Sequence, residues 1–327
     1  VRGTYSHSGK LGLGPVVVPL VGVVTSLILS LVYAYISVYS PIVGIVSVLV
    51  LMGYGFGLVL ALSLAARLSK VRNTGFLSLV GALVGLFAVY SSWAAFMAVV
   101  LSKSGLEGVT YMGMLTSPEA LWEGVKLIND NGWFSVKGST PTGGVLWALW
   151  GVEALVIFGA GFFGGVIAIS DSVFCEGCQE WAEEVEPPAR FAITDDPALL
   201  ERAAEADLDA LAALPCTLPV LGAYLQTELL RCETCDKTAT LQVKLVKTTI
   251  NDKGEESEDT DDLSPQVLIG PEAVARIEQL ALRPPAQLSG HEEGSGHEDL
   301  HEEGSGHEDL HEEGSDHEDL HEDGRPD

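Results

Sequence analysis

Four apolar stretches, each long enough to cross a lipid bilayer, constrain this chain more than anything else in it. Crossing the hydrocarbon takes about 20 mostly apolar residues in helical form. The stretches run from about Val16 to Tyr39, Ile42 to Ala66, Thr74 to Leu101 and Gly144 to Ser170. Pro19 falls in the opening turn of the first, where a helix tolerates proline. Only the fourth carries a charge, Glu153. The pattern predicts a four-helix transmembrane domain over residues 1–170, with a loop over 102–142. The first run continues for more than twenty residues without a clear small-residue cleavage site. It reads as a retained helix and not as a signal peptide. Val1 reads either as a non-standard start codon translated literally or as the beginning of a fragment.

Charge divides the chain at the same place. Residues 1–170 carry 5 acidic and 8 basic side chains, whereas 171–327 carry 40 acidic and 10 basic. Such asymmetry points to two environments and not one mixed core. The acidic half would repel phosphates, which excludes nucleic acid as a partner. It suits basic proteins or metal cations.

The basic residues of the first half set an orientation. Arg2 and Lys10 precede the first span, and Arg67, Lys70 and Arg72 crowd the link between the second and third. The Ser40-Pro41 turn has no positive charge. By the positive-inside rule both termini lie in the cytoplasm and the 102–142 loop lies outside. Trp93, Trp147 and Trp150 then fall toward the outer interface, where indole is favoured. The expected location is a cytoplasmic membrane, crossed several times.

Small residues recur at GxxxG spacing as Gly53 and Gly57, Gly81 and Gly85, and Gly161 and Gly165. This spacing lets helices approach closely in lipid, either within the bundle or across a homo-oligomer face. Glu153 lies roughly 9 Å below the outer interface, counting about 1.5 Å per residue from Trp147. A carboxylate at that depth faces the bundle or a wet cavity. It is either a proton or cation site or a structural acid bonded to a hydroxyl such as Tyr90 or Ser92. In the outer loop, Ser117-Pro118-Glu119 is a helix start. Leu121, Trp122, Val125 and Ile128 follow at helical spacing, up to Asn129, Asn131 and Gly132.

The second half opens on Cys175-Glu176-Gly177-Cys178, and Cys232-Glu233-Thr234-Cys235 follows after 53 residues. Two CxxC pairs supply four thiolates, the ligand set of a structural zinc site. The two-residue spacer turns both sulfurs of a pair toward one ion. The long separation requires an insertion between the pairs. Redox chemistry and structural disulfides remain as alternatives. Against the former, neither pair precedes a convincing helix. Cys216, between Pro215 and Thr217, reads as a small buried side chain.

Between the pairs, Asp195 or Asp196 caps a helix with Pro197 at its first position. Leu199, Leu200, Ala203, Leu208, Leu211 and Leu214 form its apolar stripe. Val220 to Leu230 reads as a strand. Thr238 to Ile250 reads as another, with Leu241, Val243 and Leu245 on one face and Lys244 on the other. Asn251 to Gly254 offers a turn, Glu255 to Asp262 a solvated acidic loop, Val267 to Ile269 a return strand, and Pro271 to Leu282 a short helix. Residues 171–285 thus form a small α+β, zinc-ribbon-like domain with a helical insertion.

Residues 286–327 are a tail built on a ten-residue unit that begins at His297 and recurs from His307 and, imperfectly, from His317. His297 and His301, His307 and His311, and His317 and His321 pair at helical spacing. Imidazoles among carboxylates can bind divalent transition metals weakly. Acid repulsion and Gly-Ser breaks favour disorder.

The motifs Tyr5-Ser6-His7-Ser8-Gly9-Lys10, Gly55-Phe56-Gly57 and Lys70-Val71-Arg72-Asn73, with the Trp150 to Glu153 stretch, carry a resemblance. Over roughly residues 1–250 the chain resembles uncharacterised bacterial four-helix membrane proteins with a C-terminal zinc-ribbon-like domain. The resemblance implies the architecture and carries no activity, and the tail is not part of it. The expected function is a non-enzymatic membrane protein whose cytosolic zinc module docks or regulates another protein. The rivals are divalent-metal handling through the tail and Glu153, and a membrane-bound thiol-disulfide oxidoreductase.

Overall fold

The computed structural model describes residues 3–40, 45–132, 134, 140–219, 221–235, 237–250 and 255–285. The tail with its six paired histidines lies outside them, as do Pro41 of the first turn and the Asn251–Gly254 turn.

The first half is helical. Helices α1 (Gly14–Tyr39), α2 (Ile45–Leu68) and α3 (Thr74–Lys103) are followed by two short ones, α4 (Tyr111–Thr116) and α5 (Pro118–Asn131), and then by α6 (Gly143–Ser170). Helices α1, α2, α3 and α6 are long and apolar enough to cross a membrane. Helices α1, α2 and α6 pack against their neighbours through a narrow stripe and α3 through a broader face, and all leave apolar side chains outside. Val16, Leu20, Val24 and Ile28 of α1 and Leu79, Leu83 and Leu86 of α3 are exposed. An apolar belt of that extent is what lipid, and not water, would cover.

Glycine sets the closest crossing, between α3 and α6. A Cβ at Gly161 would meet the Cα of Gly85 at 2.6 Å, and one at Gly85 would meet the backbone oxygen of Phe158 at 2.8 Å. Two of the GxxxG pairs therefore serve packing within the bundle, whereas Gly53 has nothing near it. Two buried hydroxyls of α1 find partners in the helices: Ser26 donates to the Gly22 carbonyl at 2.7 Å, and Ser30 meets the Tyr54 hydroxyl at 3.1 Å.

Helix α5 starts at Pro118 and buries Leu121, Val125 and Ile128 against the ends of α3 and α6. Trp122 of the expected stripe stays half exposed and lies tilted against Trp147, 5.9 Å between centroids, and Trp147 meets Trp150 at 5.3 Å. Helix α4 has no clear apolar period and is missing from the sequence reading. It is held by its Thr110 cap and by the Tyr111 and Ser91 hydroxyls.

The second half is built on a sheet. A hairpin of β1 (Phe174–Cys175) and β2 (Glu180–Trp181) comes first. Strands β3 (Glu183–Glu184) and β4 (Arg190–Ala192) lead to helices α7 (Pro197–Ala204) and α8 (Leu208–Ala213). The long antiparallel pair β5 (Gly222–Arg231) and β6 (Ala239–Ile250) forms the centre, followed by β7 (Glu256–Asp262), β8 (Val267–Ile269) and helix α9 (Pro271–Ala281). Strands β3 and β4 share the outer edge of β5, while β8 and β7 share that of β6. Leu241 and Val243 of β6 point to the helix side, where Phe191, Leu211 and Ile277 complete a buried core. Lys244, on the opposite face, pairs with Glu228 at 2.9 Å.

Two local expectations fail. The stripe from Leu199 to Leu214 belongs to two helices and not one. Ala206 turns left-handed at φ 61°, and Asp207 caps a new helix by accepting from the Asp209 and Ala210 N–H groups. Residues 256–262 form an edge strand, not a loop, although every side chain in it is exposed. Cross-strand ion pairing makes this possible: Lys247 reaches Asp261 at 2.7 Å and relieves the acid repulsion.

One connection crosses the chain's two halves. Residues ahead of α1 join the sheet of the second half: Tyr5 donates its N–H to the Gln266 carbonyl at 2.8 Å, and Thr4 bridges Val267 of β8. The segment before the first long helix and the β-rich region therefore lie at the same end of the bundle.

Candidate metal centre

The four cysteines of the CxxC pairs converge. Cys175 ends β1 and Cys178 lies in the β1–β2 turn, while Cys232 and Cys235 lie between β5 and β6. Their ligand atoms all fall within 4.8 Å of one another. Cys235 Sγ is 3.6 Å from Cys175 Sγ and 3.8 Å from Cys232 Sγ. Metal–sulfur bonds of about 2.3 Å in a tetrahedron give edges of about 3.8 Å. A disulfide needs about 2.05 Å. The arrangement can hold a metal ion.

Strand pairing, not sequence proximity, closes the cluster. Glu183 of β3 pairs with Arg231 at the end of β5, which returns the second knuckle beside the first across the whole insertion. Each knuckle is a tight turn. Gln179 adopts φ 59° and donates its N–H to the Cys175 carbonyl at 2.9 Å. In the other, the Cys232 N–H reaches the Thr238 carbonyl at 2.9 Å. The Thr234 hydroxyl donates to the Glu180 carboxylate and ties one turn to the other.

The electrostatics favour thiolate at one sulfur first. Burial works against a charge on Cys175, but the Thr238 hydroxyl at 3.3 Å and the Cys178 N–H outweigh it and hold the thiol down at about 6. Cys178 is pushed up, chiefly by its hydrogen bond to Cys235. A cation among the sulfurs would remove that mutual opposition and let all four ionise.

The cluster sits on a polar and aromatic seam at the end of the helices. Glu176, inside the first knuckle, takes Lys10 at 2.8 Å and Arg72 at 3.0 Å, and also accepts the Ser8 hydroxyl. Burial disfavours the Glu176 charge, but the Lys10 and Ser8 hydrogen bonds and the Arg72 guanidinium bring the carboxyl down to about 2. Arg72 is 4% exposed and lies 4.2 Å above the Phe174 ring. Trp181 donates its indole N–H to the Arg67 carbonyl at 3.0 Å, the Tyr5 hydroxyl accepts from the Phe174 N–H at 2.9 Å, and His7 contacts the Ile169 carbonyl at 2.8 Å. In the sequence Lys10, Arg67 and Arg72 mark orientation, Lys10 and Arg72 lie also in the motifs of the resemblance, and Tyr5, His7, Glu176 and Trp181 have no role in a site. The signal available was the Tyr5–Lys10 motif, too polar and too specific for a plain leader into an apolar helix.

The remaining candidates lie elsewhere. Cys216 is buried in the sheet core, 3.7 Å from the Leu280 carbonyl, and is not part of the cluster. Glu153 faces a separate cavity among the long helices, where Tyr33 is its hydrogen-bond partner. The expected partners are engaged elsewhere: Tyr90 donates to Leu115 and Ser92 to Val89, both at 2.8 Å. His297, His301, His307, His311, His317 and His321 lie outside the described residues. No protein-family model, curated protein or solved structure matches this chain.

Proposed function

We propose that this chain is a four-span membrane protein whose soluble half is a zinc-ribbon-like docking module, fastened by zinc to the cytosolic ends of the spans. The observation that carries this reading is the four-sulfur cluster, with edges of 3.6 and 3.8 Å, set on the seam between helices and sheet. Soft tetrahedral S₄ sites select zinc or iron, and four protein thiolates leave no open position for substrate. That favours a structural role over a catalytic one. The thiol-oxidoreductase reading is weaker because Cys175 and Cys232 are buried and all four sulfurs face one point.

Membrane insertion is supported by the four apolar helices and their exposed apolar belt. The orientation follows from Lys10, Arg67, Lys70 and Arg72, which gather at the end that meets the soluble half. Reduced cysteines suit the same compartment. The module presents the acidic edge strand β7, with every side chain exposed, toward solvent. A basic protein surface is the partner that such an edge would recognise.

Accessibility in oriented vesicles tests the reading. Protease added to inverted inner-membrane vesicles should release the soluble half, while right-side-out vesicles should protect it. Protection in both, or cleavage only from outside, would overturn the orientation. Photocrosslinking from position 257 in β7 should capture a partner with a basic surface, and Asp259→Lys with Asp261→Lys should abolish it. Capture that survives this reversal would remove β7 from the docking account.

A further inference from the structure

The second chemical feature of the molecule is a cavity of about 320 Å³ among the long helices, well away from the cysteines. That volume lies within the usual range for small-ligand sites. Tyr33 and Ser37 of α1, Ser92 and Trp93 of α3, and Trp150 and Glu153 of α6 line it. Phe134 and Pro141, from the connection after α5, also contribute. Its walls are mostly aromatic and aliphatic, and among the described residues Glu153 is the only carboxylate on them. Among the described residues no lysine or arginine lines it. Lys103 is engaged elsewhere, donating to the Val38 carbonyl at 2.8 Å and sitting over Tyr39.

An acid in such a place needs a positive partner or its own proton. The chemistry of the walls decides which cation fits. Magnesium and calcium require about six or more oxygens, and zinc prefers nitrogen or sulfur. One carboxylate and a few hydroxyls do not meet either demand. Indole faces do suit an organic cation, whose charge is spread over an apolar skin and whose desolvation is cheap. Trp93 and Trp150 both line the cavity and meet edge to face, 4.6 Å between centroids, and Trp93 also stacks on Trp147.

We propose that this cavity binds a small organic cation of the quaternary-ammonium or aromatic-amine class, with Glu153 as counter-charge and Trp93, Trp150 and Tyr33 as the aromatic wall. The site is independent of the cysteine cluster. It replaces the divalent-metal path expected from Glu153 with a ligand whose shape and hydration match the walls.

The test uses the full chain in detergent and follows tryptophan fluorescence and calorimetric heat. Phenyltrimethylammonium is the probe, and benzenesulfonate, of similar size and opposite charge, is the control. The cation should bind saturably at one site per chain, and the sulfonate should not. Glu153→Gln should weaken binding at least tenfold while leaving helical content and thermal midpoint unchanged. Ala154→Trp, which fills the cavity and keeps the acid, should abolish binding and provides an independent arm if Glu153→Gln fails to fold. Absence of saturable cation binding, equal binding of the sulfonate, or binding that Glu153→Gln leaves intact would each overturn the proposal. The last result would identify an apolar pocket for a lipid chain.

Discussion

Replacing Gly161 with alanine should destabilise the bundle, whereas the same change two residues earlier should not. The new methyl at position 161 would lie 2.6 Å from Gly85 Cα, 2.7 Å from its nitrogen and 2.8 Å from the Gly81 carbonyl oxygen. All three are backbone atoms and have no rotamer to change. Carbon contacts are comfortable from about 3.5 Å, so α3 and α6 must part by roughly 0.9 Å. Overpacking of this kind costs about 1–3 kcal/mol. At position 159 an added methyl meets nothing within 4 Å. Gly159→Ala should therefore gain up to about 1 kcal/mol from helix propensity, which Gly161→Ala shares before paying for its clash. The two variants should differ by about 1–3 kcal/mol, with Gly161→Ala the weaker. Reversible unfolding in mixed micelles, followed by tryptophan fluorescence, measures this. Equal stabilities would refute the close α3–α6 crossing and the intramolecular role given to Gly81, Gly85 and Gly161.

Other consequences concern the metal centre and its surroundings. Cys232→Ser should lose bound metal together with the cooperative unfolding of the soluble half, as read by elemental analysis and calorimetry. Metal bound to four thiolates competes with protons, so its stabilisation is present near neutral pH and falls as pH drops. A chromophoric chelator should accordingly capture it faster at about pH 5 than at about pH 7.5, because protons compete with the metal for the thiolates at the lower pH. Glu176→Gln strips Arg72 of its carboxylate. Because Arg72 is buried but Glu176 is 38% exposed, the loss should be about 1–2 kcal/mol, below that of a fully buried pair, and visible as faster proteolysis near Ser172. Asp196→Ala removes the α7 cap, which accepts from the Ala198 and Leu199 N–H groups, and should cost about 1 kcal/mol in chemical unfolding of the soluble half.

Much of this architecture is legible from residue pattern. The apolar runs locate α1, α2, α3 and α6 because lipid-length helices need sustained hydropathy, and each begins or ends within a few residues of the expected limits. The alternation around Leu241 and Val243 identifies β6, and Ser117-Pro118 marks the start of α5. Other features depend on contacts that no local period records. The split between α7 and α8 turns on one left-handed residue, Ala206, with Asp207 behind it. Strand β7 is legible only once Lys244 and Lys247 are known to lie opposite its acids. The cysteine motifs identify the cluster, but its seat does not show in them. Tyr5, His7, Arg72 and Trp181 are far apart in sequence and meet because residues 4 and 5 join the sheet of the other half. Glu153 stood out as a charge in an apolar helix, while the aromatic walls that define its chemistry come from three separate elements.

The most direct test of the central claim is the metal content of the purified full-length protein, by elemental analysis beside a count of titratable thiols. The account predicts tightly held zinc at about one per chain, with four cysteines shielded from thiol reagents until a chelator removes the metal. Cys175→Ser and Cys232→Ser should each lose it. Metal-free protein with Cys175, Cys178, Cys232 and Cys235 joined in disulfides would contradict the account and move the soluble half into an oxidising compartment.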